Sequence, residues 1–348
     1  MNRLEVFEPS EEKLHRECLY SKIIKNLDAI NVSDYTKDGN EEAFFRRYLS
    51  AVRIYVIKND CLVAHADELR RIVKDVERKF LKWQPIASKS PLLKFNEALE
   101  SAFGYSSFRD KKGRKNDDWG GEVLMRKHME GVRYCPYCNA ETVYAIEMEA
   151  GGKGRPPLIK AAFDHFFPKG RYPFLSVSLY NLIPSCHRCN SQFKIAQFKK
   201  LSETLHPYLD SVEEDMCFCP GAIPQSVWNG GEDDPDFEIR FVPRRGRSTV
   251  KERRGRNFGE LFQIERVYSQ LYRREAIQIL HKVRAYGDAY LNQVKEWFAA
   301  AGMENVDIEK MVFGTPEDPK EINKHRHAKL LRDMMNFWRC EGDRCVKV

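Results

Sequence analysis

Two CxxC pairs constrain this chain more than any other feature of its sequence. Cys135 and Cys138 form the first pair, and Cys186 and Cys189 form the second. Each pair places two thiolates on one tight turn, and two such turns supply the four sulfur ligands of a tetrahedral Zn²⁺ ion. Because sulfur fills every ligand position, this zinc is structural and contributes folding free energy. The alternative is that the four are unrelated core thiols, but two such pairs in one chain favour the zinc site.

The ten cysteines of the chain do not indicate a disulfide framework. The sequence near the start, MNRLEVFEPSEEKLHR, has acidic residues where a signal peptide has an apolar block. No stretch approaches the roughly 18 consecutive apolar residues of a membrane span. We therefore expect a soluble cytoplasmic protein with reduced thiols and no membrane partner.

Hydrophobic periodicity divides the 348 residues into three parts. Residues 1–130 repeat apolar side chains at three- and four-residue steps, which predicts helices. Residues 131–220 contain both CxxC pairs and strand-like stretches, and residues 221–348 combine a basic loop with a second helical region. With 42% apolar and 31% charged residues, the chain has the composition of a globular protein. The sequence therefore predicts an α+β fold whose strands lie in the central part.

Four shorter segments carry local predictions. Val143–Met148 and Leu158–Phe163 are expected to form two strands, with a turn at the glycines 151 and 152. The segment His187–Lys199 is expected to begin a helix. Ser106–Gly121 is polar and punctuated by glycine, which predicts a loop before the central part.

The residues between and beside the CxxC pairs form a recognisable motif. Asp164 and His165 stand at the end of a predicted strand. Asn181 follows in the sequence LYNLIPSC, and Asn190 comes directly after the last cysteine in CHRCN. In order and spacing these residues resemble the HNH nucleases of the ββα-metal fold, over residues 134–195. The resemblance implies a ββα-metal core that is stapled by the zinc site and embedded between mostly helical N- and C-terminal regions.

The chemistry of phosphodiester hydrolysis explains these residue types. The reaction needs a deprotonated water and positive charge near the phosphate. A neutral imidazole at His165 can accept the water's proton near pH 7. Asp164 and Asn190 offer hard oxygens, which favour Mg²⁺ or Mn²⁺ as the catalytic ion. The resemblance assigns Asn181 to orienting His165 or bracing the loop. For Asp164 and His165 the alternative is a hydrogen-bonded pair at a strand end.

Basic residues near the motif and in one later segment are candidates for nucleic-acid contact. From Arg240 to Arg256 the chain has eight basic residues and one acid, so this segment alone accounts for the formal net charge of +7. Such a run either follows a phosphate backbone or lies solvated on the surface. The predicted nucleic-acid-binding residues are Lys169, Arg171, Arg188, Lys194, Arg244, Arg245 and Arg247.

Longer stretches of sequence resemble a narrower group. The segment DHFFPKGRYPFLSVSLYNLIPSCHRCN, the later LHPYLD and the preceding WGGEVLMRKHMEGVRYCPYCN are similar to HNH subunits of bacterial anti-phage modules of the Septu (PtuB-like) kind. Such subunits are encoded beside SMC-like or ABC-type ATPases, so the resemblance implies an ATPase partner and an antiviral defence role. The chain itself has no nucleotide-binding glycine loop.

These observations together predict an enzyme, a metal-dependent endonuclease that hydrolyses DNA. Two other functions stay open. The chain could be a non-catalytic, zinc-stapled subunit that binds nucleic acid or acts as a scaffold. It could also be an RNA-cutting toxin nuclease, because the fold tolerates either sugar.

Overall fold

The computed structural model describes residues 1–80, 90–111, 119–147, 158–194, 198–303, 306–316 and 318–341. Within these ranges the chain is mainly α-helical with small antiparallel sheets, so the predicted α+β class is confirmed. One continuous cluster of buried apolar side chains runs from Met1 to Met335 and includes residues of all three parts of the sequence. None of the described helices combines the length and the apolar character that crossing a bilayer requires.

Amphipathic segments form the helices. In Ala66–Lys79 the residues Leu69, Ile72, Val73 and Val76 recur at three- and four-residue steps, and all four are buried. The α-helices described are Pro9–Asp28, Gly39–Ile57, Ala66–Lys79, Pro91–Phe103, Tyr105–Arg109, Gly121–Gly131, Val212–Asp215, Gln225–Trp228, Thr249–Leu261, Ile264–Leu271, Arg273–Ala285, Asp288–Ala300, Ile308–Phe313 and Ala328–Asn336.

The strands of the described residues pair two by two, always antiparallel. The pairs are β1 (Ala145–Glu147) with β2 (Leu158–Lys160), β3 (Ala162–His165) with β4 (Leu182–Ser185), and β5 (Met216–Pro220) with β6 (Ile239–Pro243). The two strands predicted on either side of the glycines are confirmed in part, because Leu158–Phe163 is divided between β2 and the start of β3. Met148 and glycines 151 and 152 lie outside the described residues.

β3 and β4 position the HNH-like motif. Asp164 pairs with Ile183 and His165 pairs with Leu182, so the motif lies at the end of β3 where the chain enters the loop to β4. Within the second CxxC the backbone turns into a π-helical segment, Arg188–Phe193. The helix predicted to begin at 187 is thus confirmed for its first turns, and residues 195–197 lie outside the described ranges.

Two loop predictions were wrong, one mainly at its start and the other over much of its length. Within Ser106–Gly121 the chain is helical up to Arg109, because Tyr105 and Phe108 are buried on one side of that turn, and residues 112–118 are outside the described part. The expected basic loop begins as strand β6 and continues, after a short turn, as the helix Thr249–Leu261. Sequence patterns gave no prediction of the β5–β6 pair.

A buried histidine ties the first helix to the loop between β3 and β4. The Nε2 of His15 lies 2.8 Å from the Val177 carbonyl oxygen, and the indole N–H of Trp119 donates to the Nδ1 of His15 at 2.8 Å. The ring is therefore neutral, with its proton on Nε2. Burial lowers the pKa of His15 from 6.5 to about 4, although the hydrogen bond to Val177 opposes the shift.

Acid is expected to weaken this connection. Because the pKa of His15 is lower in the folded chain than in the unfolded chain, the folded state binds fewer protons. The stabilisation, about 3 kcal/mol, is present above pH 6.5 and is lost as the pH falls toward 4. In urea unfolding at pH 7.5, 6 and 5, the stability advantage of the wild type over His15→Gln should shrink by up to about 1.4 kcal/mol per pH unit below pH 6.5. A difference in unfolding free energy that stays constant from pH 7.5 to pH 5 would contradict the low pKa of His15. Loss of metal in acid destabilises both proteins, so it cancels in the difference between them.

Candidate active site and metal centre

The four cysteines of the CxxC pairs lie together, as the sequence predicts. Their Sγ atoms are all within 4.8 Å of one another, and those of Cys138 and Cys186 are 3.9 Å apart. In a tetrahedral site with Zn–S distances of about 2.3 Å the sulfurs lie about 3.8 Å apart. All four residues are buried. Donor type, number and spacing therefore fit a structural metal such as zinc.

The raised pKa of two of these thiols means that their thiolate forms require a nearby positive charge. Burial raises the pKa of Cys135 and of Cys189. Hydrogen bonds from the other three thiols lower the pKa of Cys138. Four thiolates so close together and so well buried need a compensating positive charge, which a divalent metal supplies.

Tyr137 connects the metal centre to the HNH-like motif. It lies between the two cysteines of the first pair, in the sequence CPYC, and its ring stacks on Phe262 at a centroid distance of 4.2 Å. Its hydroxyl donates to Asp164 Oδ2 at 2.6 Å. Sequence reasoning missed this role; the only signal for it was a tyrosine inside a metal-binding turn.

Asp164 forms a buried ion pair with Lys194. The Lys194 Nζ lies 2.7 Å from both Asp164 carboxylate oxygens and also donates to the backbone carbonyl of His165. Each of the two side chains is only 4% exposed. Burial lowers the pKa of Lys194, and the Asp164 charge opposes that shift. Lys194 was predicted to contact nucleic acid; its charge instead faces inward, where it neutralises Asp164.

The predicted Mg²⁺ or Mn²⁺ site does not fit this arrangement. A carboxylate and an amide oxygen are suitable ligands for these ions, but both carboxylate oxygens of Asp164 already contact the ammonium of Lys194. Asn190, the second expected ligand, has a half-exposed side chain, and its backbone N–H donates to the Cys186 carbonyl at 3.0 Å. A divalent cation at Asp164 therefore requires Lys194 to move away.

His165 is held in one tautomer by a backbone carbonyl. Its Nε2 lies 2.9 Å from the Ser176 carbonyl oxygen, so Nε2 carries the proton and Nδ1 has the lone pair. The edge of the ring contacts Tyr105 at a centroid distance of 4.4 Å. The residue is 8% exposed. Burial, with smaller contributions from Lys194 and Lys169, lowers the pKa of His165 to about 3, so the ring is neutral at pH 7.

Asp164 and His165 have different neighbours. Adjacent strand residues point to opposite faces of the strand, and accordingly Asp164 meets Tyr137 and Lys194 while His165 meets Ser176 and Tyr105. The bond from Lys194 to the His165 carbonyl links the two faces. The alternative of a hydrogen-bonded pair at a strand end also agrees with these contacts, in which each side chain bonds to other buried groups and not to the other.

Asn181 braces the loop that carries these groups. Its Oδ1 accepts from the Phe167 N–H at 2.7 Å. Its Nδ2 donates to the carbonyls of Phe167 and Leu175, at 3.1 and 2.9 Å. The side chain is fully buried. Because the Leu175 carbonyl immediately precedes Ser176, these bonds also fix the carbonyl that orients His165.

Replacing Asn181 with alanine should therefore destabilise the fold. Three buried backbone groups would lose their partner, and each such group costs about 1–3 kcal/mol. We expect a loss of about 3 kcal/mol in unfolding free energy, measured by urea denaturation. Asn190→Ala is the matched control and should change stability little, since that side chain is half-exposed. Equal losses in the two variants would contradict the bracing role.

The other basic residues predicted near the motif are also engaged within the protein. Lys169 pairs with Glu100 and lies 5.7 Å from the centre of the Tyr105 ring. Arg188 pairs with Glu141. Arg171 is buried, and its Nε donates to the Tyr172 hydroxyl at 3.3 Å. The prediction that Arg171 contacts nucleic-acid phosphate is therefore wrong, as it is for Lys194. Both charges are buried, and a buried charge cannot reach a ligand at the protein surface.

The basic segment is largely neutralised by acidic neighbours. Arg244 donates to Asp333 at 2.6 Å, and Arg247 lies 3.4 Å from Asp215. Arg245 is exposed. Of the three, Arg245 best retains the predicted role of contacting nucleic acid, because its side chain extends into solvent. Part of the concentrated positive charge of the sequence is therefore paired within the protein, whereas Arg245, Arg253 and Arg256 are exposed.

Comparisons with known proteins give one distant relative. The chain is 27% identical to "Protein ea31" of Escherichia phage lambda over 185 residues, which are 53% of this chain and 56% of the phage protein. The chain thus spans about half the length of the curated relative that it matches. No protein-family model matches the chain. No solved structure matches it either.

Proposed function

We propose that this chain is an HNH-type endonuclease that hydrolyses phosphodiester bonds in DNA. The observation that carries the proposal is the strand–strand–helix order around the four thiols. β3 ends on Asp164 and His165, β4 pairs back along it, and the helical segment Arg188–Phe193 follows. The ββα-metal fold that the sequence resembles requires this order of elements, so the order supports the proposal in addition to the sequence motif.

In this proposal His165 is the general base. The Ser176 carbonyl keeps the proton on Nε2 and leaves the lone pair of Nδ1 to accept a proton. Nδ1 can then take a proton from a water molecule whose oxygen attacks the phosphorus, while the bond to the leaving oxygen breaks and that oxygen takes a proton from solvent. Asn181 is a positioning residue, because it holds the loop that presents the Ser176 carbonyl.

Positive charge near the scissile phosphate is the second requirement. Mg²⁺ or Mn²⁺ held by Asp164 and Asn190 would supply Lewis-acid chemistry, but Lys194 contacts both carboxylate oxygens of Asp164 in the arrangement described. In the arrangement described, the charge near Asp164 comes from the Lys194 ammonium. No step of the reaction is assigned to a metal ion.

The anti-phage context and an SMC-like or ABC-type ATPase partner also belong to the proposal. They are supported by the similarity of the sequence around the motif to Septu-type HNH subunits. The absence of a nucleotide-binding glycine loop from the sequence agrees with an ATPase on a separate chain. Co-purification of a tagged chain with an ATPase expressed from the same operon tests this part.

A cleavage assay tests the enzymatic proposal. Supercoiled plasmid, labelled duplex DNA, single-stranded DNA and RNA are incubated with the purified, zinc-loaded chain, with Mg²⁺ or Mn²⁺ and with or without EDTA. We expect nicking of duplex DNA that EDTA abolishes. Cleavage of RNA alone would favour the toxin function. Absence of any cleavage, also with the ATPase present, would reject the nuclease.

One observation favours the alternative of a non-catalytic zinc-stapled subunit. Asp164, the carboxylate of the motif, is neutralised by Lys194. A scaffold would keep this ion pair permanently. The same assay separates the two functions, since a scaffold binds nucleic acid but leaves it intact.

A further inference from the structure

Two cysteines outside the four-cysteine metal centre lie together on β5. Cys217 and Cys219 are two residues apart in the strand Met216–Pro220, and strand residues two apart point to the same face. Both are buried. They form a small cluster apart from the continuous core, and Val242 and Phe337 pack against it. The strand thus offers two soft sulfur ligands on one face, in buried surroundings.

The last helix of the described chain packs against this strand. The Phe218 N–H, between the two cysteines, donates to Asp333 Oδ2 at 2.8 Å, which places the helix Ala328–Asn336 beside β5. The helical segment Phe337–Glu341 follows without a break. Because Phe337 packs against both cysteines, the chain passes beside the two thiols as it enters this segment.

Two more cysteines follow this contact in the sequence. Cys340 belongs to the segment Phe337–Glu341, three residues after the contact, and three residues of helix advance the chain by about 4.5 Å at most. Cys345 follows in the sequence CEGDRC, beyond the described residues. The chain between the two spans about 18 Å at most. A C-x₄-C pair has the ligand spacing of zinc sites, so a second pair of sulfur ligands is within reach of the first.

An ordinary core role explains less of this pattern. A buried thiol packs like a small apolar side chain, which accounts for Cys217 or Cys219 taken singly. It does not account for a second closely spaced pair in the sequence that follows the contact with them. With two four-cysteine centres, every cysteine of the chain except Cys18 and Cys61 has a metal-binding role.

We infer that Cys217, Cys219, Cys340 and Cys345 form a second zinc site, which fastens the C-terminal end of the chain to β5. Sulfur fills all four ligand positions, so this zinc is structural. It takes no part in phosphodiester hydrolysis, and the inference therefore holds or fails independently of the proposed function. Its contribution is to the folding free energy of the C-terminal region.

The zinc content of the full-length chain tests the inference. The protein is purified with reductant, and zinc per chain is measured by inductively coupled plasma mass spectrometry. The wild type should contain two zinc ions. Cys217→Ala/Cys219→Ala and Cys340→Ala/Cys345→Ala should each contain one, because either change removes half of the ligand set. The variant that combines all four changes should also contain one, since both pairs hold the same ion.

A control and a second measurement accompany the zinc analysis. Cys61→Ala removes a buried cysteine outside both centres and should keep two zinc ions. Circular dichroism establishes that each variant is folded. If Cys217→Ala/Cys219→Ala does not fold, Cys340→Ala/Cys345→Ala decides, because it leaves β5 unchanged. With Co²⁺ in place of zinc, the sulfur-to-cobalt absorbance should fall by about half in the variant, since half of the metal–thiolate bonds are lost.

Two results would overturn the second site. One is a single zinc ion in the wild type, or two in the variant Cys340→Ala/Cys345→Ala. The other is a disulfide between the two pairs. Alkylation of the chelated protein without reductant detects it, because cysteines in a disulfide do not react until they are reduced. Full alkylation at all four positions is the expected result. DNA cleavage is measured separately, so loss of the second zinc and failure of the nuclease proposal remain distinguishable.

Discussion

Removal of zinc is expected to unfold the central part of the chain. The four thiols hold the turn before β1 and the turn after β4 together. The apparent binding free energy of structural zinc in small zinc-finger peptides is about 10–16 kcal/mol, which rivals the whole stability of a typical domain at about 5–15 kcal/mol. The purified protein should contain one zinc ion per four-cysteine centre. A strong chelator should abolish hydrogen-exchange protection across residues 134–147 and 158–194.

Zinc removal should also destabilise elements that are hydrogen-bonded to the first CxxC turn. The Tyr137 hydroxyl bonds to Asp164, and the Tyr268 hydroxyl bonds to the Cys138 carbonyl at 2.6 Å. Loss of the metal should therefore loosen β3 and the start of the C-terminal helices together. Hydrogen exchange of the helix Ile264–Leu271 should rise in parallel with that of β3.

Cysteine variants provide the control for this prediction. Cys138→Ser should reproduce the effect of the chelator, because a serine hydroxyl is a poor replacement for a thiolate ligand. Cys61→Ser also replaces a buried cysteine, but one outside the cluster, and it should keep zinc and most of the protection. If the protein keeps its full hydrogen-exchange protection and its melting temperature after the chelator has removed the metal, metal binding by the four thiols does not stabilise the fold.

Replacing His165 with alanine is expected to reduce DNA cleavage by about 10²–10⁴-fold, the usual contribution of a general base. Zinc content should not change, because His165 and the thiols have separate neighbours. Stability should fall by about 1 kcal/mol, since one hydrogen bond to the Ser176 carbonyl is lost. Single-turnover cleavage and urea unfolding measure the two effects separately.

Two further variants separate the proposed role of His165 as a base from its role in the fold. His165→Gln can still donate to the Ser176 carbonyl from its amide nitrogen, which matches the position of Nε2, but it offers no basic nitrogen, so it should be as inactive as His165→Ala and more stable. His281→Ala removes a histidine that contacts the Gly231 carbonyl, remote in sequence from the motif, and should cleave like the wild type. Undiminished cleavage by His165→Ala would remove this residue from the mechanism.

The prediction of elements from sequence succeeded where side-chain spacing is regular. The buried side chains of Ala66–Lys79 and the strands β1 and β2 follow short-range periodicity. The helix at Tyr105–Arg109 and the β5–β6 pair were missed. In both cases the deciding factor is burial against distant parts of the chain, which is not visible in a short window of sequence.

The sequence by itself identified the four thiols that the structure brings together. Two CxxC pairs have the spacing of a shared metal site, and this signal lies within a few residues of each pair. The sequence also shows Asp164 and His165 ahead of the second CxxC pair, which is the order on which the resemblance depends.

Only the tertiary structure decided what the charged residues do. Lys194 and Arg244 are ordinary basic residues in the sequence, yet one neutralises Asp164 and the other pairs with Asp333. The partner of Arg244 is far away in the chain, and the Lys194 ammonium is set against Asp164 by the packing of a helix on a strand. A buried charge needs a counter-charge, and folding brings it from whichever segment packs alongside. Composition gives the number of charges, and three-dimensional packing decides which of them reach the surface.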